Sequence, residues 1–184
     1  MGGTIMADTR QHDGKHDVKE GWWASHGVST VARKLDFGDY MAEGSNVSVD
    51  TKRNVSELMG NLGRGFRRLD HECARAAEAG YRIVFLVEGG AAYADPSRLA
   101  RVVSDYCRMC GYRRECNPVS KRSGCRRRGD GRKPFQGYMM MHKMAVLHDK
   151  YGAEFEFCER RDTARRVCEL LGVEYDEQDA DSRA

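Results

Sequence analysis

The chain has 184 residues, of which 40% are apolar and 32% are charged. This length suits one domain that buries most of its apolar surface, and this composition excludes a disordered protein. No window approaches the roughly 18 consecutive apolar residues of a membrane-spanning helix, and the first six residues lack the pattern of a secretory signal. We therefore expect one domain over residues 1–184, located in the cytoplasm and without a membrane partner.

The first half of the chain alternates short strands and helices. A predicted strand over residues 4–7 delivers Asp8 and Arg10 to its end. A helix is predicted over residues 17–25, and Gly27 ends it. The adjacent Trp22 and Trp23 are expected to lie in the core and at its rim. Further strands are predicted over residues 28–35 and 46–52, on either side of a turn-rich segment.

A helical apolar stripe follows Lys52, with spacings of three, four and one from Val55 to Ala77. Gly63-Arg64-Gly65 interrupts it, which predicts a short helix, a break and a longer helix over residues 66–79. The apolar run over residues 81–87 is typical of a parallel strand buried on both faces. A strand, a long helix and another strand form a right-handed crossover unit, which indicates an α/β fold.

The second half predicts two more helices, a strand and a closing helix. Asp95-Pro96 opens a helix predicted over residues 97–107. A methionine-rich helix over residues 137–150 has side chains suited to filling gaps in a core. Alternating phenylalanines predict a strand at residues 155–157, and a helix is predicted over residues 163–171. We expect the acidic tail, residues 176–184, to be frayed.

Two short motifs carry the chemistry of the first half. The sequence reads Gly38-Asp39-Tyr40 and, after eight intervening residues, Val49-Asp50-Thr51-Lys52. Because strand side chains alternate between faces, Asp50 and Lys52 share a face and can converge on one phosphate. Asp39 and Asp50 would supply the pair of carboxylates that Mg²⁺ prefers. Taken singly, the first motif is also an ordinary turn and the second an ordinary strand edge.

These motifs, together with Asp8-Thr9-Arg10-Gln11 and the run over residues 56–62, resemble the nuclease domain of the xeroderma pigmentosum group F repair family. That family belongs to the PD-(D/E)XK superfamily, and the similarity spans residues 4–88 with its four blocks in the family order. Residues 137–143 and 151–158 also look like segments of stand-alone, phage- and prophage-type members.

The resemblance implies a restriction-endonuclease-like α/β core with a mixed central sheet flanked by helices. It also implies an endonuclease that hydrolyses DNA with Mg²⁺ or Mn²⁺, with branched or junction DNA as the suggested substrate. Asp39 and Asp50 would then hold the metal, and Lys52 would act as a base or as an electrostatic stabiliser. Asp8 and Glu57 are further candidates for metal contacts or catalysis.

The chain departs from the family pattern at four positions. Gln11 stands where the family has Glu, and Asp50 also replaces a Glu. Thr51 replaces an Arg, and Glu57 lies one residue further from the lysine than the family's acid. Asp in place of Glu keeps the charge but shortens the reach by one methylene group.

Basic residues are concentrated in one segment. Residues 108–133 contain ten Lys or Arg against two acids, Glu115 and Asp130, so this segment carries +8 while the whole chain carries +3. Such a segment is either a solvated loop or a surface that attracts a phosphate backbone. The candidate DNA-binding residues are Arg10, Arg64, Arg67, Lys121, Arg122, Arg126, Arg127, Arg128, Arg132 and Lys133.

The chain has seven cysteines, an odd count that fits a reducing compartment where thiols stay free or bind metal, and four of them lie within residues 107–125. Cys107, Cys110, Cys116 and Cys125 offer one Cys-x2-Cys knuckle and two further thiolates, as a structural zinc site requires. Zinc would also order a basic insertion over residues 107–133 that has no apolar core. Free cysteines and redox chemistry remain alternatives. The other three cysteines occupy apolar positions and read as buried hydrophobic residues.

Two other functions remain open at this point. The first is a catalytically inactive DNA-binding protein on a nuclease scaffold, in which a zinc-stapled basic loop binds DNA. The second is a zinc-dependent interaction module. Nucleases of the family that the chain resembles commonly dimerise, so a homodimer is also open.

Overall fold

The computed structural model describes residues 3–10, 17–112, 115–120, 124–128 and 130–177. Six strands are present within these ranges: β1 (Thr4–Asp8), β2 (Ser29–Arg33), β3 (Tyr40–Ala42), β4 (Val47–Lys52), β5 (Arg82–Glu88) and β6 (Glu154–Cys158). They form one sheet in the order β2-β1-β3-β4-β5-β6. The strand β3 is antiparallel to β1 and β4, and the other pairs are parallel. The sheet is therefore mixed, as the fold-class prediction required.

Helices and two short 3-10 turns cover the sheet. The helices are α1 (Asp17–Ser25), α2 (Val55–Gly63), α3 (Phe66–Glu78), α4 (Pro96–Ala100), α5 (Asp105–Arg108), α6 (Gly137–Tyr151) and α7 (Thr163–Leu171). The predicted break between α2 and α3 is confirmed at the glycine-flanked joint. None of the described helices is both long enough and apolar enough to cross a membrane.

Two hydrophobic cores lie on opposite faces of the sheet. The strand β5 contributes to both: Phe85 belongs to the first core, which α2, α3 and α6 cover, and Leu86 belongs to the second, which α1 and α7 cover. This confirms the prediction of a parallel strand buried on both faces. Trp23 is fully buried in the second core, and Met140 is fully buried in the first.

One local prediction was wrong, and one strand was not predicted. The single helix over residues 97–107 is instead two short helices, α4 and α5, because Ser104 caps the second one by accepting a hydrogen bond from the backbone N–H of Cys107. The short strand β3 was not predicted as a strand. It is only three residues long, and the glycine before it, Gly38, has a turn conformation with φ of +70°.

The polarity of the strands brings the chemistry-bearing residues to one edge. Asp8 and Lys52 end the parallel strands β1 and β4, while Asp39 immediately precedes the oppositely directed β3. All three therefore lie at the carboxyl-terminal edge of the parallel strands. This is the edge at which open α/β sheets bind ligands.

Candidate active site and nucleic-acid interface

Asp50 and Lys52 form a buried ion pair on one face of β4. The ammonium of Lys52 donates a hydrogen bond to Oδ1 of Asp50, and the two residues are 5% and 6% exposed. The same ammonium lies 5.5 Å from the centre of the Phe85 ring in the first core. The ion pair therefore packs against the apolar side chains of the first core.

Asp39 is fixed to β4 from the neighbouring strand. Its Oδ2 accepts hydrogen bonds from the backbone N–H of Thr51 at 2.9 Å and from the Thr51 hydroxyl at 2.6 Å. Its own N–H donates to the carbonyl of Val49 at 2.8 Å. Asp39 thus lies one residue before β3, bonded to Val49 and Thr51, the two residues of β4 that flank Asp50.

A third carboxylate, Glu72 of α3, was not predicted as a site residue. Its Oε1 accepts a hydrogen bond from the backbone N–H of Gly38 at 3.2 Å. The sequence held a signal for it, because Glu72 lies three residues after Leu69 and four before Ala76, and both of those residues are buried. An acid on the sheet-facing side of a helix is expected to have a hydrogen-bond or charge partner, because charged side chains are rarely buried unpaired.

The charges of Asp39 and Glu72 act on the buried carboxylate of Asp50. Burial first, and then the charges of Asp39 and Glu72, raise the pKa of Asp50 to about 7, although Lys52 opposes this shift. Burial alone would lower the pKa of Lys52, but the charge of Asp50, its hydrogen bond and the two other acids outweigh burial and raise that pKa. Lys52 is therefore held as an ammonium.

This donor set suits a hard divalent cation, which would relieve the repulsion among the oxygen ligands. Within the described residues, however, no group of three or more His, Cys, Asp or Glu side chains is already close enough together to hold a metal ion. The carboxylates of Asp39, Asp50 and Glu72 are near one another without forming a finished coordination shell.

Asp8 and Arg10 are engaged with each other and with the chain after β2. The Arg10 Nε donates to Oδ2 of Asp8 at 2.8 Å, and its guanidinium also bonds to the carbonyl of Leu35. Oδ1 of Asp8 accepts from the N–H of Leu35 at 3.2 Å. Both residues thus tie the ends of β1 and β2 together, and the N–H of Asp8 donates to the carbonyl of Asp39 at 2.9 Å.

Glu57 lies in the first turn of α2, three residues after Asn54, which caps the helix. Its Oε2 accepts from the N–H of Arg53 at 2.9 Å, and its own N–H donates to Oδ1 of Asn54 at 2.9 Å. This arrangement resembles a capping box, except that Glu57 bonds to the residue before the N-cap. A role for Glu57 in metal binding or catalysis would have to compete with these bonds.

Two of the predicted DNA-binding arginines line one groove. Arg64, at the end of α2, and Arg128, in the basic segment, face a groove of about 430 Å³ that also contains the rings of Tyr106 and Phe135. Positive charge beside aromatic rings is a combination that suits a nucleic-acid strand. Arg67 is exposed on α3 but does not line this groove.

The other described arginines of the basic segment make local contacts on the surface. Arg126 pairs with Glu115 at 3.0 Å, and the guanidinium of Arg127 lies 4.9 Å from the centre of the Tyr106 ring. Arg132 is exposed. These pairs cost little to break because they are solvated, so the cations remain available to a phosphate backbone.

Lys133 has a structural environment. Its ammonium donates hydrogen bonds to the carbonyls of Asn117 at 2.9 Å, Pro118 at 3.4 Å and Ser120. This lysine therefore holds the loop over residues 117–120. Two other predicted DNA-binding residues, Lys121 and Arg122, lie outside the described residues, as do Gln11 and residues 178–184 of the predicted tail.

The six-stranded mixed sheet flanked by helices has the fold of the XPF nuclease. The solved structure of XPF from Aeropyrum pernix is 20% identical to this chain, with a TM-score of 0.54, and the match covers 91% of this chain and 63% of that one. XPF from Aeropyrum pernix in complex with DNA is 19% identical, also with a TM-score of 0.54, over 92% of this chain and 62% of that one.

This chain thus spans less than two thirds of the length of these neighbours. No family model matches it. No curated protein sequence matches it significantly. The comparisons confirm the predicted fold class.

Proposed function

We propose that this protein is a divalent-metal-dependent endonuclease that hydrolyses phosphodiester bonds in DNA. The observation that carries the proposal is the ion pair of Asp50 and Lys52, with Asp39 and Glu72 beside it, at the ligand-binding edge of a sheet with the XPF nuclease fold. A binding surface for DNA alone has no need of three carboxylates, since acids repel a phosphate backbone.

Asp39, Asp50 and Glu72 would hold Mg²⁺ or Mn²⁺ with their oxygens. When bound, such an ion lowers the pKa of a coordinated water and neutralises charge on the scissile phosphate. Lys52 would stabilise the negative charge that grows on the phosphate oxygens during attack. The raised pKa of Lys52 supports this electrostatic role over that of a general base, because a base must first lose its proton.

The groove of Arg64 and Arg128 supports DNA as the substrate. It follows α2 from Ser56 to Arg64, and α2 is the helix that comes directly after Lys52 in the chain. A solved XPF neighbour is a complex with DNA. Within this class we propose branched and junction DNA as the preferred substrates, as the sequence resemblance implies.

The test is a cleavage assay on supercoiled, linear duplex and forked DNA with Mg²⁺ or Mn²⁺. The wild-type protein should cleave, and the forked substrate should be cut faster than the linear duplex. Asp39→Asn and Asp50→Asn should each lower the cleavage rate at least about 100-fold, because each removes a ligand charge while keeping the size of the side chain.

Asp36→Asn is the matched control, since Asp36 is an exposed acid three residues before Asp39 in the same loop. It should cleave like the wild type. Retention of full activity by Asp50→Asn would overturn the proposed site. Binding of forked DNA without cleavage under any metal condition would instead identify a catalytically inactive DNA-binding protein.

A further inference from the structure

Four cysteines surround one small cavity in the basic segment. Cys107, Cys110, Cys116 and Cys125 all line a cavity of about 20 Å³, which has room for one small ion or one water molecule. All four thiols are free and partly exposed. Residues up to 18 positions apart in the chain therefore line one cavity, which scattered surface cysteines would not do.

Tight turns bring these thiols to the cavity. The N–H of Cys110 donates to the carbonyl of Cys107 at 3.3 Å, which closes the Cys-x2-Cys turn. The N–H of Cys125 donates to the carbonyl of Gly131 at 2.8 Å, and Gly131 has the left-handed φ of +64° that this second turn requires. The backbone itself thus presents thiols from both ends of the segment.

A buried amide is directed at one of the sulfurs. Gln136 is fully buried, and its Nε2 donates to Sγ of Cys107 at 3.1 Å while its Oε1 accepts from the N–H of Ser104 at 3.1 Å. A neutral thiol is a weak acceptor, but a metal-bound thiolate is a strong one, and donors of this kind fix and stabilise metal ligands. A buried donor is thus already in place for a thiolate ligand at Cys107.

The surroundings have the charge and packing that a thiolate centre requires. Arg127 and Lys133 line the same cavity and would offset the negative charge of the thiolates. The segment buries little apolar surface, since Tyr106, Met109 and Tyr112 are 42%, 81% and 48% exposed. A bound metal would supply the folding free energy that this segment lacks.

We propose that Cys107, Cys110, Cys116 and Cys125 bind one structural zinc ion as four thiolates. The thiols must close on the ion, because no described group of three ligands is preassembled. Zinc is the metal of choice, since four sulfur ligands around one small centre favour tetrahedral zinc over hard cations. The site would fix the basic segment, and hence Arg128, beside the groove that Arg64 also lines.

Elemental analysis of the full chain, purified under reducing conditions without chelator, tests this site without reference to cleavage. We expect about one zinc per chain in the wild type. Cys116→Ser and Cys125→Ser should each lower zinc to a minor fraction. Cys158→Ser is the matched control, because Cys158 lies in β6, outside the cavity, and serine can keep its contact with Thr163; it should retain the metal.

Two measurements keep the test decisive if a variant misfolds. A mercurial thiol reagent should release the zinc of the wild-type protein to a chromogenic chelator. In Gln136→Glu, competition with the same chelator should show zinc bound about 10- to 100-fold more weakly, because a carboxylate replaces the donor to Cys107. Less than about half a zinc per reduced chain, iron with visible absorbance, or unchanged zinc in both cysteine variants would overturn the proposal.

Discussion

Glu72 of α3 accepts a hydrogen bond from the backbone N–H of Gly38, the residue that directly precedes Asp39. One carboxylate oxygen thus holds the loop that delivers Asp39, while its charge raises the pKa of Asp50 across the site. The same helix reaches the loop a second time, because the guanidinium of Arg75 donates to the carbonyl of Asp36 at 3.4 Å. The helix α3 therefore helps to build the proposed metal site.

Substitution of Glu72 separates these two roles. Glu72→Gln keeps an oxygen that can accept from Gly38 but removes the charge, whereas Glu72→Ala removes both. We expect both variants to bind Mn²⁺ about 10- to 100-fold more weakly, by calorimetric titration, because the charge is what a cation needs. Glu78→Gln, an exposed acid at the end of the same helix, should bind like the wild type. Normal Mn²⁺ affinity in Glu72→Gln would reduce Glu72 to a loop-positioning residue.

The first-half fold was predictable from sequence because its signals are local. The apolar run of β5 and the glycines on either side of Arg64 determine the backbone conformation within a few residues. The structure has the strand and the helix break at these positions. Asp50 and Lys52 share a face for the same reason, since alternation along a strand needs no knowledge of the rest of the chain.

The remaining features depend on contacts between distant segments. Glu72 contacts a residue 34 positions away, and Gln136 holds Ser104 from 32 positions away. The second contact also favours the split between α4 and α5, which helical spacing could not reveal. The capping role of Glu57 was readable in principle, because Asn54 stands three residues before it, as in a capping box.

Metal binding should depend on pH through Asp50. Its pKa is raised from 3.8 to about 7 in the folded metal-free protein. Between these values the folded state holds more protons than the unfolded chain, so this group's contribution to the free energy of unfolding falls as pH rises through the window. A bound cation requires the ionised carboxylate, so Mn²⁺ must displace this proton below about pH 7.

The apparent Mn²⁺ affinity should accordingly be higher at about pH 8 than at about pH 6, with net proton release at the lower pH. Calorimetric titrations in buffers of different ionisation enthalpy measure both quantities. Asp50→Asn should lose most of this pH dependence along with much of its affinity. Equal wild-type affinity and no proton release across this range would show that Asp50 does not ligate the metal.

Arg64 and Arg128 should contribute to DNA binding through the phosphate backbone. Arg64→Ala and Arg128→Ala should each weaken binding about equally for different sequences and reduce the slope of log affinity against log salt by about one. Arg161→Ala is the control, because Arg161 is exposed before α7 on the opposite side of the sheet. Fluorescence anisotropy with a labelled fork in Ca²⁺ measures the slopes. A slope unchanged in both groove variants would place the DNA elsewhere.

The position of Asp39 should depend on the absence of a side chain at Gly38. Gly38 has φ of +70°, and a Cβ there would collide with Oγ of Ser48, which donates to the carbonyl of Phe37 at 3.0 Å. Gly44 has φ of +77° with open space around it, so Gly44→Ala isolates the backbone strain, at about 1–2 kcal/mol in chemical unfolding. Gly38→Ala should cost more than this and should also impair cleavage, since the loop must shift.

The double variant Gly38→Ala/Ser48→Ala removes the colliding hydroxyl but keeps the left-handed φ and close contacts of the new Cβ with the carbonyl oxygen of Val49 at 3.2 Å and with Cβ of residue 48 at 3.3 Å. Its free energy of unfolding should return towards that of Gly44→Ala, and its cleavage rate should recover in parallel. Recovery of stability without recovery of cleavage would mean that Ser48 contributes to the site through its bond to Phe37. If Gly38→Ala were no less stable than Gly44→Ala, the loop before Asp39 would be adaptable, and its close fit against β4 would not be what positions the carboxylate.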